Sequence, residues 1–197
     1  MNRTALGRAT RRVATAAVVL GAVVPAAGCG VFSPGADAQT PETMTVTSGA
    51  FVQNTMESRY TCAAGDQAIN PPLGWAGAPP GTKSLAVVVD DSSAPITPYA
   101  YWIVFDINPA TSQITEGQLP PGARRAHNSA GTVGYDPPCP GARSHDYRFT
   151  VYALNKVLNL PSGTSLRSAW TAIAGATIAY GQLVAHAAPS SAPSDKP

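Results

Sequence analysis

Between residues 43 and 160 the apolar positions fall into short, β-rich runs broken by Pro, Gly, Asn and Asp. The clearest runs cover 84–90, 100–107 and 147–154. In the last, Tyr147, Phe149, Val151 and Ala153 alternate with Asp146, Arg148, Thr150 and Tyr152, the period of two that a sheet with two unlike faces requires. From Leu85 to Val89 every residue is apolar, as in a strand covered on both sides. One helical period stands out. Leu166, Trp170 and Ile173 fall at i, i+4 and i+7, with Thr164 or Ser165 to cap the start and Gly175 at the C′ position. Residues 177–186 follow as a final strand. The pattern predicts a mainly β architecture of two packed sheets with peripheral helix.

Both ends depart from this pattern. Residues 1–12 are polar and basic, and 13–27 form an apolar run rich in Ala and Val that ends in small residues before Cys29. A basic start, a short apolar stretch and small residues at the cut mark an export signal. The run is shorter than the roughly 20 residues that span a bilayer, so a permanent transmembrane helix is the weaker reading. Ala26, Ala27 and Gly28 before Cys29 resemble a bacterial lipobox, whose cysteine becomes the lipidated first residue of the mature chain, although Ala26 stands where Leu is usual. Arg11 and Arg12 also fit a twin-arginine signal, so the export route stays open. Residues 30–42 and 188–197 are rich in Gly, Pro, Ala and small polar residues. Such segments cannot bury enough surface to offset their ordering entropy. The expected organisation is an export signal (1–28), a lipidated Cys29 with a flexible tether (29–42), one domain (43–187) and a disordered tail (188–197). The protein would then sit on the outer side of the cell membrane, held there by lipid.

Composition adds exclusions. Of 197 residues 12% are charged, for a net charge of +2. That fraction is about half the usual 25%, which argues against a coiled coil. Four arginines and no acid lie in the first 28 residues, leaving nine basic against eleven acidic residues in the remainder. No basic face for nucleic acid is expected. His127, His145 and His186 are far apart, without metal-ligand spacing. Phosphate-cradling, dinucleotide and nucleophile-elbow motifs are missing, so neither metal nor cofactor is expected. With Cys29 assigned to lipid, Cys62 and Cys139 remain. In an exported protein such a pair reads as a disulfide; the alternative is two buried free thiols.

Two segments carry candidate chemistry. Asp90-Asp91-Ser92-Ser93-Ala94-Pro95 follows the buried strand and precedes Tyr101-Trp102-Ile103-Val104. Gly134-Tyr135-Asp136-Pro137-Pro138-Cys139-Pro140 is followed by His145-Asp146-Tyr147 at the head of a strand. Proline fixes its backbone and lacks an N–H donor, so the second segment suits a rigid rim. Acid, imidazole and phenol at strand ends can then converge on one small polar ligand.

From Phe51 to Tyr180 the chain resembles the phosphatidylethanolamine-binding protein family, in its bacterial Raf-kinase-inhibitor-like branch. The resemblance runs through Tyr60-Thr61-Cys62, Pro71-Pro72-Leu73-Gly74-Trp75, Lys83-Ser84-Leu85-Ala86, Asp91 to Pro95, Trp102, Asn128 to Tyr135, Pro138-Cys139-Pro140, His145, Tyr147 and Tyr152-Ala153-Leu154. It implies an antiparallel β-sandwich, a large central sheet with a smaller one and a few short helices, and a small pocket for phosphate-like groups. Asp91 matches the first acid of the family's D-P-D-A-P motif, Pro138 the proline of G-P-C-P-P, and His145 and Tyr147 the ends of H-R-Y. Imidazolium and phenol would donate to ligand oxygens, and the carboxylate would accept from a protonated phosphate or an ammonium. The bland alternative gives each residue a structural role: Asp91 capping a turn, His145 satisfied against a carbonyl, Tyr147 packing in the sheet. Four positions depart from the family pattern. Ser93 replaces the second acid, Tyr101 a pocket histidine, Pro137 a glycine and Asp146 the arginine of H-R-Y. A neutral phenol at 101 implies a narrower pocket or a weaker grip on anions. The expected function is non-catalytic binding of a small anionic or phosphate-containing ligand by a membrane-anchored lipoprotein, with a protein of the envelope as a further partner. The rivals are an inhibitor acting through its surface on an exported or host enzyme, and an enzyme using Asp91 and His145 as acid and base.

Overall fold

The structure is a computed structural model that describes residues 40–93 and 99–189. The export signal, Cys29, the tether up to residue 39, Ala94 and Pro95, and the tail from residue 190 lie outside the described residues. Eight strands and one α-helix follow in the order β1 (Thr45–Thr47), β2 (Leu73–Ala76), β3 (Ser84–Asp91), β4 (Ala100–Ile107), β5 (Gln113–Ile114), β6 (Arg124–Arg125), β7 (His145–Leu154), α1 (Leu166–Ala174) and β8 (Thr177–Ala187). They form a five-stranded sheet, β6-β4-β3-β7-β8, and a three-stranded sheet, β1-β2-β5. All strand pairs in both sheets are antiparallel.

The apolar run of β3 occupies the middle of the large sheet, and all eight of its residues are buried. One face of that sheet packs Leu85, Val87, Val89, Val104, Phe149 and Val151 against Val46, Leu73, Trp75 and Ile114 of the small sheet. The other face sets Ala86, Val88, Ile103, Phe105 and Leu154 against Ala169 and Ile173 of α1. Each fully buried large aliphatic or aromatic side chain contributes about 1.5–3 kcal/mol relative to leaving it in water. Where β8 passes beneath residues 43 and 44, Met44 N donates to Tyr180 O at 3.1 Å. A Cβ on Gly181 would stand 2.2 Å from Met44 O, so only glycine permits this approach.

Three expectations need adjusting. Ser165 caps α1, its Oγ accepting from Ser168 N at 3.2 Å, but Gly175 has a right-handed φ of −73° and is not a left-handed C′ residue. The buried positions of α1 are Ala169 and Ile173, with Leu166 packed beside them, while Trp170 stays 45% exposed. The reason is geometric: at about 3.6 residues per turn Leu166, Ala169 and Ile173 centre the buried face, and Trp170 falls at its margin. Short 3-10 turns at Ser58–Tyr60 and Cys62–Gln67 were not foreshadowed by any apolar period.

Candidate functional site

β3 runs one residue further than the apolar pattern indicates and β7 starts two residues earlier, so that Asp91 and His145 belong to neighbouring strands and Asp91 is the register partner of Tyr147. Antiparallel pairing thus places the acid, the imidazole and the phenol at one end of the large sheet. Asp91 Oδ2 lies 2.8 Å from His145 Nδ1. A carboxylate only accepts, so Nδ1 carries the proton and Nε2 is the nitrogen left for another partner. Asp91 Oδ1 accepts from Ser93 N at 2.7 Å. Both carboxylate oxygens are therefore engaged, one closing a turn and the other orienting the imidazole. The side chain of Asp91 is only 4% exposed, that of His145 31%, which makes His145 the outward-facing member.

Tyr147 lies under His145, the two rings stacked at 6.2 Å and 17°. Its hydroxyl is buried and makes no well-formed hydrogen bond among the described residues; Tyr101 is the polar neighbour that acts on it. Burial, then the Asp91 charge, hold this phenol well above its ordinary range, while a polar contact from Tyr101 pulls the other way. Tyr101 meets Tyr147 edge-on, with centroids 5.4 Å apart, and burial, followed by Tyr147 and Asp91, raises its pKa strongly. Both phenols stay protonated at neutral pH. They can donate, and they bring no negative charge of their own to the site.

Pro138 enters through the segment that crosses β4. Asp136 N donates to Tyr101 O at 2.9 Å. Two residues on, the carbonyl of buried Pro138 accepts from Cys62 N at 2.9 Å. Cys62 and Cys139 are joined by a disulfide, which decides between a bridge and free thiols. At a sequence separation of 77, the bond restricts the unfolded chain by roughly 4 kcal/mol in the chain-entropy description. It fastens the proline wall to the 3-10 turns that precede β2.

Tyr99 and Asp136 complete the wall and were not singled out from sequence as site residues. Tyr99 Oη donates to Asp136 Oδ2 at 3.0 Å, and its ring lies 4.6 Å from that of Tyr101. Burial and this bond push the Tyr99 phenol up to about 12. The i, i+2 spacing of Tyr99 and Tyr101 was a usable signal, since such residues share a face of a strand. The substitutions at 93 and 146 also gain local roles. Asp146 N donates to Ser93 Oγ at 3.0 Å, and Ser92 Oγ donates to Asp146 O at 2.7 Å. The Asp146 carboxylate pairs with His186 Nδ1. Cys29, the sequence-predicted anchor, lies outside the described residues.

Residues 46–188 match the profile of a family described as phosphatidylethanolamine-binding protein. The chain is 39% identical over 132 residues to a UPF0098 protein of Methanothermobacter thermautotrophicus, covering 64% of this chain and 86% of that one. It is also 39% identical over 155 residues to LppC of Mycobacterium tuberculosis, a protein whose name designates it a lipoprotein, covering 75% of this chain and 76% of that one. Among solved structures, the phosphatidylethanolamine-binding protein homolog CT736 of Chlamydia trachomatis matches with a TM-score of 0.66 at 32% identity, over 74% of this chain and 97% of that one. YbcL of E. coli matches with a TM-score of 0.66 at 25% identity, over 75% of this chain and 99% of that one.

Proposed function

The chain belongs to the phosphatidylethanolamine-binding protein family, and from that premise we propose that it binds a small phosphate-bearing ligand at the Asp91, Tyr101, Pro138, His145 and Tyr147 site without turning it over. The observation that carries this reading is the pairing of Asp91 and His145 beside a buried phenol that makes no well-formed hydrogen bond among the described residues. An unsatisfied buried hydroxyl costs about 1–3 kcal/mol, and a ligand oxygen would recover part of it. Protonated at Nε2 as well, His145 gives a charge-assisted donor, the stronger kind of hydrogen bond to phosphate. Asp91, with both oxygens engaged, serves as the positioning residue for His145. Lipid attachment at Cys29 and a place on the outer side of the cell membrane complete the proposal, supported by the lipobox-like sequence and by the name of the LppC relative.

Calorimetric titration of the purified protein with inorganic phosphate and phosphoethanolamine tests the pocket. Saturable binding lost in both His145→Ala and Asp91→Ala is the expected result. A well-folded protein that binds neither compound overturns the proposal and favours action through the surface; product formation that depends on both residues favours an enzyme. For the anchor, Cys29→Ala should release the protein from membranes, and unchanged retention would count against lipidation.

A further inference from the structure

The opposite face of the large sheet carries a recess. α1 covers the part of that face formed by β3 and β4, through Ala86, Val88, Ile103 and Phe105. Over β7 and β8 the same face presents Arg148, Thr150 and Tyr152 beside Tyr180 and Gln182, with Thr150 opposite Gln182 and Tyr152 opposite Tyr180. Trp170 overhangs from α1. Together these six residues line a cavity of about 330 Å³, near the lower end of the roughly 300–1,000 Å³ usual for small-molecule sites.

We propose that this recess is a binding site for a neutral pyranose, presented as a segment of an uncharged glycan. Three features select that chemistry. A pyranose has a C–H face that packs on aromatic rings and a rim of hydroxyls that needs both donors and acceptors. Trp170 is 45% exposed although Trp75 and Trp102 are buried, and its ring meets Tyr152 edge-on at 6.2 Å and 88°. Tyr180 continues the row, 6.3 Å from Tyr152. Two rings at a right angle form a corner in which a sugar ring lies flat on one and abuts the other. Polar partners come from the Gln182 amide, whose Nε2 also reaches Glu42 Oε2 at 3.5 Å, from the tyrosine hydroxyls, and from the guanidinium donors of Arg148 that its carboxylate partner leaves over.

Charge excludes the obvious competitors. Arg148 is the one basic residue in the lining. It is already bound through Nε and Nη2 to both oxygens of buried Asp90. A phosphate or carboxylate would have to compete with Asp90 for it. A quaternary ammonium, the other ligand of aromatic recesses, would find the Asp90 carboxylate already paired to that guanidinium. A neutral polyol meets neither obstacle. The site shares no residue with the Asp91–His145 pocket. β7 separates the two by alternation, Tyr147 and Phe149 packing inward while Arg148, Thr150 and Tyr152 line the recess.

The purified protein is titrated with chitotetraose, cellotetraose and maltotetraose, with choline as the cationic comparison. Binding is read by tryptophan fluorescence, to which Trp170 contributes the exposed indole, and by saturation-transfer NMR on the ligand. Saturable binding of at least one oligosaccharide is expected, undisturbed by excess inorganic phosphate. Trp170→Ala should weaken it by about ten-fold or more, as for loss of an aromatic contact surface, and Gln182→Ala by several-fold, both with an unchanged melting temperature. The proposal is overturned if a cooperatively folding protein binds none of the three, if binding survives both substitutions, if phosphate displaces the sugar, or if choline alone binds.

Discussion

Among the described residues two histidine–aspartate pairs form, His145–Asp91 and His186–Asp146, and their surroundings differ. Asp91 is 4% exposed and also accepts from Ser93 N. In the second pair the side chains are 46% (Asp146) and 52% (His186) exposed. The first arises because β3 and β7 pair in the middle of the sheet, where a carboxylate needs partners for both oxygens. The second is a cross-strand contact on the edge strand β8, where water competes. The same two residue types thus give one oriented imidazole beside buried phenols and one surface pair, and burial makes the difference. Exposed pairs contribute about 0–1 kcal/mol, whereas hydrogen bonds to a buried charge contribute about 1.5–3 kcal/mol each.

The largest effect should come from the brace beside the first pair. Replacing Cys62 and Cys139 together by alanine is expected to lower stability by about 4 kcal/mol, measured by denaturant titration, and to weaken phosphate binding as the Pro138 wall loosens. An unchanged midpoint would show that the disulfide does not hold that wall.

Next, Asp91→Ala should cost about 2 kcal/mol, since it leaves Ser93 N and His145 Nδ1 without their shared acceptor. Equilibrium unfolding reads the stability, and NMR of the His145 ring reads the loss of its fixed orientation. A cost as small as that of an exposed pair would erase the contrast between the two.

A smaller effect should appear at alkaline pH. The Tyr99 phenol is raised from 10.0 to about 12, so the folded state holds this proton more tightly than the unfolded chain. The associated stability is complete below pH 10 and is lost as pH rises through about 12. Unfolding free energy should therefore fall across that window, and less steeply in Tyr99→Phe; identical slopes would remove Tyr99 from the account.

The smallest effect belongs to the second pair. Asp146→Ala and His186→Ala should each change stability by less than about 0.5 kcal/mol and leave phosphate titrations as they were. A cost near that of Asp91→Ala would mean that exposure is a poor guide here.

Much of the scaffold could be read directly from residue patterns. The unbroken apolar run at 85–89 read as a strand buried on both faces, and the alternation through Tyr147–Ala153 assigned an inner and an outer set of side chains. Both are local consequences of a strand's period of two. Trp170 shows where this stops: an apolar residue at the right helical interval lies at the margin of the buried face, because the contact with the neighbouring sheet is centred on Ala169 and Ile173. Family resemblance put forward Asp91, Tyr101, Pro138, His145 and Tyr147 as a site, and the fold brings Asp91, His145, Tyr147 and Tyr101 together. Tyr99 and Asp136 were not put forward, since their bond spans 37 residues and depends on how the proline segment crosses β4.

What the sequence determined by itself was the four long strands of the large sheet, the one capped helix, the cysteine pair available for bridging and the family to which they belong, because each rests on intervals along the chain or on motifs in order. Tertiary structure decided which aspartate is buried with which histidine, that Ser93 and Asp146 bind one another, and that Trp170 overhangs an open recess. Those are outcomes of register and of competition for contact between elements distant in sequence, and no local period records them.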